Sequence, residues 1–500
     1  MAPELTTSAA APQHSAFRVE KHGFDFIPLT ERTMTLRQAA LFWAGTQANF
    51  VPVSLGVVAV TLGLNLWQAL ISVIIGCSFF AYVGVACVAG PRAGVPTLTF
   101  TRSAFGPKGN QPNVALTWAA LVAFEALNTI LAALAILAFL PLVGVTEPGR
   151  TTEVLAVLAV IGLSVAVAAL GHAAMVWLQR IAAVILVVAL VLVLAATMAG
   201  AQWTAGQSID TGHVLALMTV AIAANASGPL AYLFCSPEWF RYLPRDVSAR
   251  KLSWTLFASG GGVAVLLGLL GAELASQVDM SDPLAGPKDA LPVAIYAVFL
   301  LAAVLGTLAN NVPTLYSAGL TLQALGVPIS RFFATVLNAV LAAAVTLWVL
   351  ASGGFLDSLE TFASLLVVWL GPFGGVYVAD AILRRWRWNP TDLHDRSDRG
   401  QYWGHNGWNI AGWIALGAGM VTTVLTMNSV IYVGPVAHAL GGTDLSWLLG
   451  IPVSAAAYVA LSARKLRSPD AERLGLTAWR TQQTVQDTES DIIARELHRS

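Results

Sequence analysis

Three clusters of amides and hydroxyls interrupt otherwise apolar stretches of this 500-residue chain. The first is Thr46, Gln47 and Asn49, just ahead of Pro52. The second is Asn225 and Ser227, ahead of Gly228 and Pro229. The third is Asn310, Asn311 and Thr314, on either side of Pro313. An amide carries both donors and an acceptor, so such side chains can read the mixed edge of a small heterocycle. A proline removes a backbone N–H and clashes with the preceding turn. A helix broken there frees carbonyl oxygens, which are hard ligands suited to a hard cation. The competing use of a buried amide is to glue helices together. That explains one asparagine easily and a cluster poorly. Glu125 adds an ionisable group inside an apolar run. A charge there is expensive to bury, which makes a functional role the first hypothesis. Proton carriage is the role considered, against a neutral acid bonded to a neighbouring helix.

The elements that hold these residues follow from composition. The chain is 56% hydrophobic and 11% charged, with a mean hydropathy of +0.70. Soluble domains carry about 25% charged residues. A surface this apolar is at home in lipid. Each transmembrane helix needs about 20 apolar residues. Twelve segments qualify, over 36–62, 67–89, 113–140, 153–171, 175–199, 213–236, 253–276, 292–325, 331–351, 358–383, 406–428 and 446–463. Their length and continuity predict an all-α integral membrane protein rather than a barrel. Residues 1–35 are polar, with no apolar core of a signal peptide, and read as a cytoplasmic N-terminal segment. Residues 464–500 read as a cytoplasmic tail, leaving 36–463 as the transmembrane domain. Cys77, Cys87 and Cys235 fall within apolar runs and read as small buried hydrophobes.

Orientation follows from the basic residues. With these spans, all but two of the 27 Lys and Arg residues lie on the side of the N-terminus. The exceptions are Arg150 and Lys288. The positive-inside rule then puts both termini in the cytoplasm of a plasma (inner) membrane protein. Glu273 is expected near the outer end of the seventh span, within reach of water. Asp380 is expected to pair with Arg384 at the inner end of the tenth.

Spans one and six carry the first two polar clusters, five helices apart. That spacing suits two five-helix inverted repeats, with helices one and six broken at the substrate site and helices eleven and twelve appended. A secondary transporter working by alternating access fits this layout. A membrane enzyme does not, since no HExxH pair or nucleophile elbow is present. No phosphate-binding loop suggests direct ATP drive, and no repeated selectivity motif suggests a channel. Zero formal net charge gives no case for nucleic acid. The implied partners are a small heterocycle, a coupling cation and the lipid bilayer, without an organic cofactor.

Four motifs in order then carry a resemblance. They are Gly90-Pro91-Arg92-Ala93-Gly94-Val95-Pro96 followed by Arg102, Phe105, Gly106 and Gly109; Ser236-Pro237-Glu238-Trp239-Phe240-Arg241-Tyr242-Leu243-Pro244; Asn310-Asn311-Val312-Pro313-Thr314-Leu315-Tyr316-Ser317; and Tyr432-Val433-Gly434-Pro435 with Gly441, Gly442 and Asp444. Over about residues 18–465 the chain resembles the nucleobase–cation symporters, in their purine–cytosine permease branch. Glu238 stands where that family usually has Asp. The resemblance implies a leucine-transporter-type fold and import of a nucleobase such as cytosine or a purine, driven by sodium or protons. A permease of the same fold for allantoin, a hydantoin, a pyridine or a thiazole is the alternative. In the family the base lies between aromatic rings of helices three and six. Residue by residue, this implies Phe124 (with Trp118 as the competing placement) and Asn128 on helix three, and Tyr232 on helix six near Asn225 and Ser227. Asn310, Asn311 and Thr314 on helix eight, with Gln47 and Asn49 on helix one, complete the implied substrate set. For sodium, the only metal considered, the implied ligands are carbonyls of Ala44 and Gln47 on helix one and the position of Ala309 on helix eight. Ala309 offers no hydroxyl, which weakens that reading, and Glu125 is the proton alternative.

Overall fold

The protein is described here by a computed structural model. It covers residues 23–467, apart from 24, 146, 205–210, 353–354 and 430. The expected N-terminal segment 1–35 and the tail 464–500 lie mostly outside the described residues. Among those described, regular structure is helical, with two isolated bridge pairs.

Helix α1 comes in two parts, α1a (Leu36–Gln47) and α1b (Val51–Thr61), whose axes differ by 51°. Thereafter come α2 (Leu66–Ala93), α3 (Gln111–Phe139), α4 (Arg150–Leu170) and α5 (His172–Thr197). Then α6a (Thr211–Leu230) and the single turn α6b (Ser236–Trp239) precede α7 (Ala249–Ala275). The chain continues with α8 (Val293–Ala324), α9 (Arg331–Ser352), α10 (Phe355–Leu383), α11 (Ile410–Thr426) and α12 (Ser446–Arg467). Ten helices among the described residues are long and apolar enough to cross a bilayer, or eleven with the bent pair counted as one span. Helix α11 is apolar but has 17 residues, at the place of the expected eleventh span.

Local chemistry sets the ends. Thr35 with Gln38, and Asn65 with Gln68, form reciprocal caps that start α1a and α2. One proline acts differently from expectation. The sequence places the break of helix six at Asn225–Pro229, yet α6a runs through these residues to Leu230 and breaks at Ala231–Cys235. Pro229 falls in the last turn, where its missing N–H withholds the helical donor from the carbonyl of Asn225, and the helix ends one residue later. Pro313 is carried inside an unbroken α8.

Packing sorts the helices into groups. Helices α1b, α2 and α7 contact one another, with α6a against α1b and α2, and α3, α4, α8 and α9 likewise pack together. Each group pairs helices that are five apart in the chain. Helix α5 lies against α1a and α8, while α10, α11 and α12 pack together at one side. Helix α10 is buried over most of its length, whereas α4, α9 and α12 present most of theirs outward. Leu155, Phe333 and Trp348 are among the large apolar side chains left exposed there. Lipid solvates such a surface without penalty.

Candidate functional site

A cavity with about 850 Å³ of empty space between its walls lies where the two groups face each other. Its lining comes from both sides of the α1 break, from α2, α3, α6a and α8, and from the chain between α6a and α6b. Nine of the ten residues expected to bind substrate line it. They are Gln47, Asn49, Phe124, Asn128, Asn225, Ser227, Tyr232, Asn310 and Thr314.

These polar side chains differ in how far the protein already uses them. Asn49 donates from Nδ2 to the carbonyl of Thr46 at 2.8 Å and accepts from the N–H of Val51 at 2.9 Å. Its amide therefore bridges the last turn of α1a and the first of α1b, where helix ends leave backbone groups unmatched. Asn225 donates to Ala221 O at 2.9 Å in its own helix and to Leu55 O at 3.2 Å in α1b. Ser227 and Thr314 bond back to carbonyls of the preceding turn. Asn310 Nδ2 donates to the Tyr232 hydroxyl at 3.3 Å, which Gln47 and Asn49 also approach. Two groups remain unspent. Among the described residues, Gln47 Nε2 is buried and meets no partner at hydrogen-bonding geometry, and Asn128 forms no side-chain hydrogen bond, with Oδ1 fully buried. A buried polar atom without a partner costs free energy until something meets it.

Rings surround these amides. Tyr232 sits 5.1 Å from Trp43, 5.8 Å from Trp239 and 6.3 Å from Phe80, centroid to centroid. Phe124 packs at 6.3 Å against Phe234, which in turn stacks on Trp369. The sequence paired Phe124 with Tyr232 and missed Phe234, Phe80 and Trp239 as lining residues. Trp239 stood within the Ser236–Pro244 motif; Phe80 and Phe234 are ordinary apolar residues in an apolar run, so nothing marked them. Trp118 points elsewhere, donating to Asn338 Oδ1 on α9 at 2.7 Å.

Asn311 departs from expectation. It does not line the cavity but faces the opposite side of α8, donating to Thr129 Oγ1 at 3.1 Å and Ser164 Oγ at 3.5 Å. Adjacent helical residues point about 100° apart, so Asn310 and Asn311 cannot share one face. Glu125 is also behind the cavity wall. It is fully buried, and neither carboxyl oxygen has a partner. Its backbone carbonyl accepts from Thr129 Oγ1 at 2.7 Å, which puts it one turn from the Asn311 contact. Glu273, expected near water, is instead buried, accepting from Thr197 and from Gln277. Asp380 does pair with Arg384 at 2.9 Å, and also accepts from Ser103 and Tyr458.

The oxygens named for sodium already accept hydrogen bonds here. Ala44 O accepts from Ala48 N at 3.0 Å, and Gln47 O accepts from Asn49 N at 2.8 Å. Ala309 O accepts from Gln179 Nε2 at 2.5 Å. The last bond has a clear origin. Proline at 313 withholds the N–H that would bond the carbonyl four residues earlier, that of Ala309. Gln179 on α5 supplies the donor instead, and Gly45 on α1a leaves the room for it, since a Cβ there would strike the Gln179 side chain. Thr307 and Thr314 turn their hydroxyls back onto their own helix.

Comparison with known proteins adds to this geometry. Residues 26–450 match the family described as permeases for cytosine/purines, uracil, thiamine and allantoin. A Bacillus subtilis protein named as a purine-cytosine permease, YxlA, is 25% identical over 467 residues, covering 90% of this chain and 97% of that protein. The Saccharomyces cerevisiae purine-cytosine permease FCY2 is 24% identical over 269 residues, covering 50% of this chain and 49% of its own. Mhp1, a nucleobase-cation-symport-1 family transporter solved in a closed conformation with bromovinylhydantoin bound, superposes with a TM-score of 0.72 at 18% identity. That alignment covers 90% of this chain and 98% of Mhp1. The inward-facing form of Mhp1 superposes with a TM-score of 0.68. These likenesses show a shared all-helical fold of the leucine-transporter type.

Proposed function

The chain belongs to the family of permeases for cytosine/purines, uracil, thiamine and allantoin, and from that premise we propose that it imports a nucleobase such as cytosine or a purine by cation symport. The observation that carries this reading is the pair of unspent amides, Gln47 and Asn128, on the wall of one ring-lined cavity. A flat base stacks on Phe124 and the rings around Tyr232. Its edge meets Gln47 Nε2 as donor and the Asn128 amide as donor and acceptor. Asn310, Asn225, Ser227 and Thr314 form the rest of the wall. Asn49 holds the two halves of α1 together beside the bound base. The bromovinylhydantoin bound to Mhp1 favours a second reading, in which the substrate is another small nitrogenous ring with the same imide-like edge.

For coupling, the reading favours the proton, carried by Glu125. The support is that this carboxyl is buried and unpartnered, while the carbonyls of Ala44, Gln47 and Ala309 each already receive a donor. The base and proton enter together, the group containing α1, α2, α6 and α7 rocks against that of α3, α4, α8 and α9, and the cavity opens to the other side. The bias of Lys and Arg supports twelve spans in a plasma (inner) membrane with both ends cytoplasmic. On that topology 1–35 and 464–500 are cytoplasmic flanks of the transport domain, 36–463.

The test is uptake of radiolabelled cytosine, adenine, hypoxanthine, uracil and allantoin into proteoliposomes. Sodium and pH gradients are imposed independently. Saturable accumulation of a base under the pH gradient is expected. Accumulation under sodium alone would reverse the coupling assignment, and no accumulation of any of the five would overturn the substrate reading.

A further inference from the structure

A second pocket, apart from the transport cavity, lies on the Lys- and Arg-rich face of the molecule. It has about 1000 Å³ of empty space, open on one side, between three segments distant in the chain. The short helix Arg102–Phe105 between α2 and α3 brings Arg102. The C-terminal end of α8 and the turn after it bring Gln323 and residues 326–329. The segment after α10 brings His394 and Arg396, and Asp25 closes the remaining side.

Arg102 is the unusual member. Only 1% of it is exposed. Its Nη1 donates to the carbonyl of Leu393 at 2.8 Å, but Nε and Nη2 have no partner. Burial, and secondly the like charge of Arg396, bring its guanidinium down to about 10. It therefore stays charged at neutral pH. Arg396 is held at the pocket by its own bond from Nη2 to Ala324 O at 2.9 Å. Two like charges converge, one of them desolvated with two N–H groups spare. Asp25 is the one acidic lining residue, and it forms no ion pair with either arginine. One carboxylate offsets at most one of the two charges. An uncompensated buried charge is strongly unfavourable, and a guanidinium fork matches a tetrahedral oxyanion.

We propose that this pocket is a phosphate-binding site, in which Arg102 and Arg396 clasp one phosphate group and so tie the α2–α3 connection to the end of α8 and the segment after α10. The pocket is larger than a phosphate ion, so the group comes either from a free phosphorylated solute or from the headgroup of an anionic lipid in the cytoplasmic leaflet. The site is independent of the substrate cavity, and its test needs no transport assay.

The whole purified chain, delipidated in detergent, is titrated with inorganic phosphate against chloride at matched ionic strength, reading the thermal unfolding midpoint. In parallel it is placed in nanodiscs of phosphatidylcholine with and without phosphatidylglycerol. A saturable rise with phosphate, absent with chloride, is expected if the ligand is a free phosphate. A rise only with phosphatidylglycerol assigns the headgroup. Arg396→Gln removes the exposed partner without touching the buried one, and should weaken the response about 10- to 100-fold, as for loss of a charged hydrogen bond. Arg102→Lys keeps the charge but loses the fork, and should weaken it similarly. No stabilisation by either source, or an equal response from Arg396→Gln and the unaltered chain, would overturn the site.

Discussion

Two asparagines on the same cavity wall make a sharp test, because one is spent on the fold and the other is not. Asn128 has no side-chain hydrogen bond among the described residues, whereas Asn49 makes two, at 2.8 and 2.9 Å. Asn128→Leu, which keeps the number and branching of side-chain heavy atoms, removes no existing bond among the described residues. Its stability should stay level or rise, since an unmet buried acceptor disappears. Binding should fall, because the polar edge of the base is left facing a hydrocarbon. An unpaired buried group costs about 1–3 kcal/mol, which is roughly 5- to 150-fold in Kd. Asn49→Leu should do the reverse in stability. Hydrogen bonds in membrane proteins contribute about 0.6 kcal/mol each, with a ceiling near 1.7, so its loss of two should cost about 1–3 kcal/mol. The assays are calorimetric titration of the tightest-binding base and thermal unfolding, both on purified protein in one detergent. If Asn128→Leu binds every base within twofold of the unaltered chain, or loses as much stability as Asn49→Leu, the division into spent and unspent amides is wrong.

Three further substitutions probe other parts of the reading. Glu125→Gln should abolish accumulation driven by a pH gradient while leaving exchange of labelled for unlabelled base intact; persistent accumulation would clear Glu125 of proton coupling. Asp380→Asn takes away the negative charge that faces Arg384 at 2.9 Å in a buried pair, and should cost about 3–5 kcal/mol, seen as a lowered unfolding midpoint; an unchanged midpoint would contradict the buried pairing. Gly306→Leu puts a side chain against the carbonyl of Ala48, where α8 crosses the α1 break at backbone contact. It should cut the yield of monodisperse protein in size-exclusion chromatography, whereas Gly417→Leu, with open space around it, should not.

Much of this architecture was legible because lipid imposes simple rules. Apolar length marked the helices, and proline with amides marked where α1 bends. The position of the break in helix six was misread, since proline forbids a bond but does not say which neighbouring turn will open. The cavity residues were found because amides in an apolar run are costly and so conspicuous. The rings opposite them were found only in part, because Phe80 and Phe234 look like any other apolar residue. Asn311 was miscast for a different reason. Its type suited base reading, but its angle around α8 aims it at Thr129 and Ser164. Side-chain direction, and not composition, separates glue from site.

Proline 313 makes the same point about coupling. A proline in helix eight withholds the N–H that would bond the carbonyl of Ala309, and a freed carbonyl can serve as a cation ligand. What the sequence could not tell is whether another helix already answers it. Gln179 is 130 residues away, on a helix with no proline and no polar cluster, yet its Nε2 lies 2.5 Å from that oxygen. An amide N–H there presents partial positive charge to the oxygen a cation would use. With α5 and α8 thus joined by an internal donor, an ion bound at the Ala309 oxygen would have to share it with the glutamine. Glu125 faces no such competitor: its carboxyl has no partner among the described residues, and a proton is the one cation that neutralises it without needing further ligands. The physical asymmetry between an answered carbonyl and an unanswered carboxyl is therefore the ground on which we propose protons as the driving force.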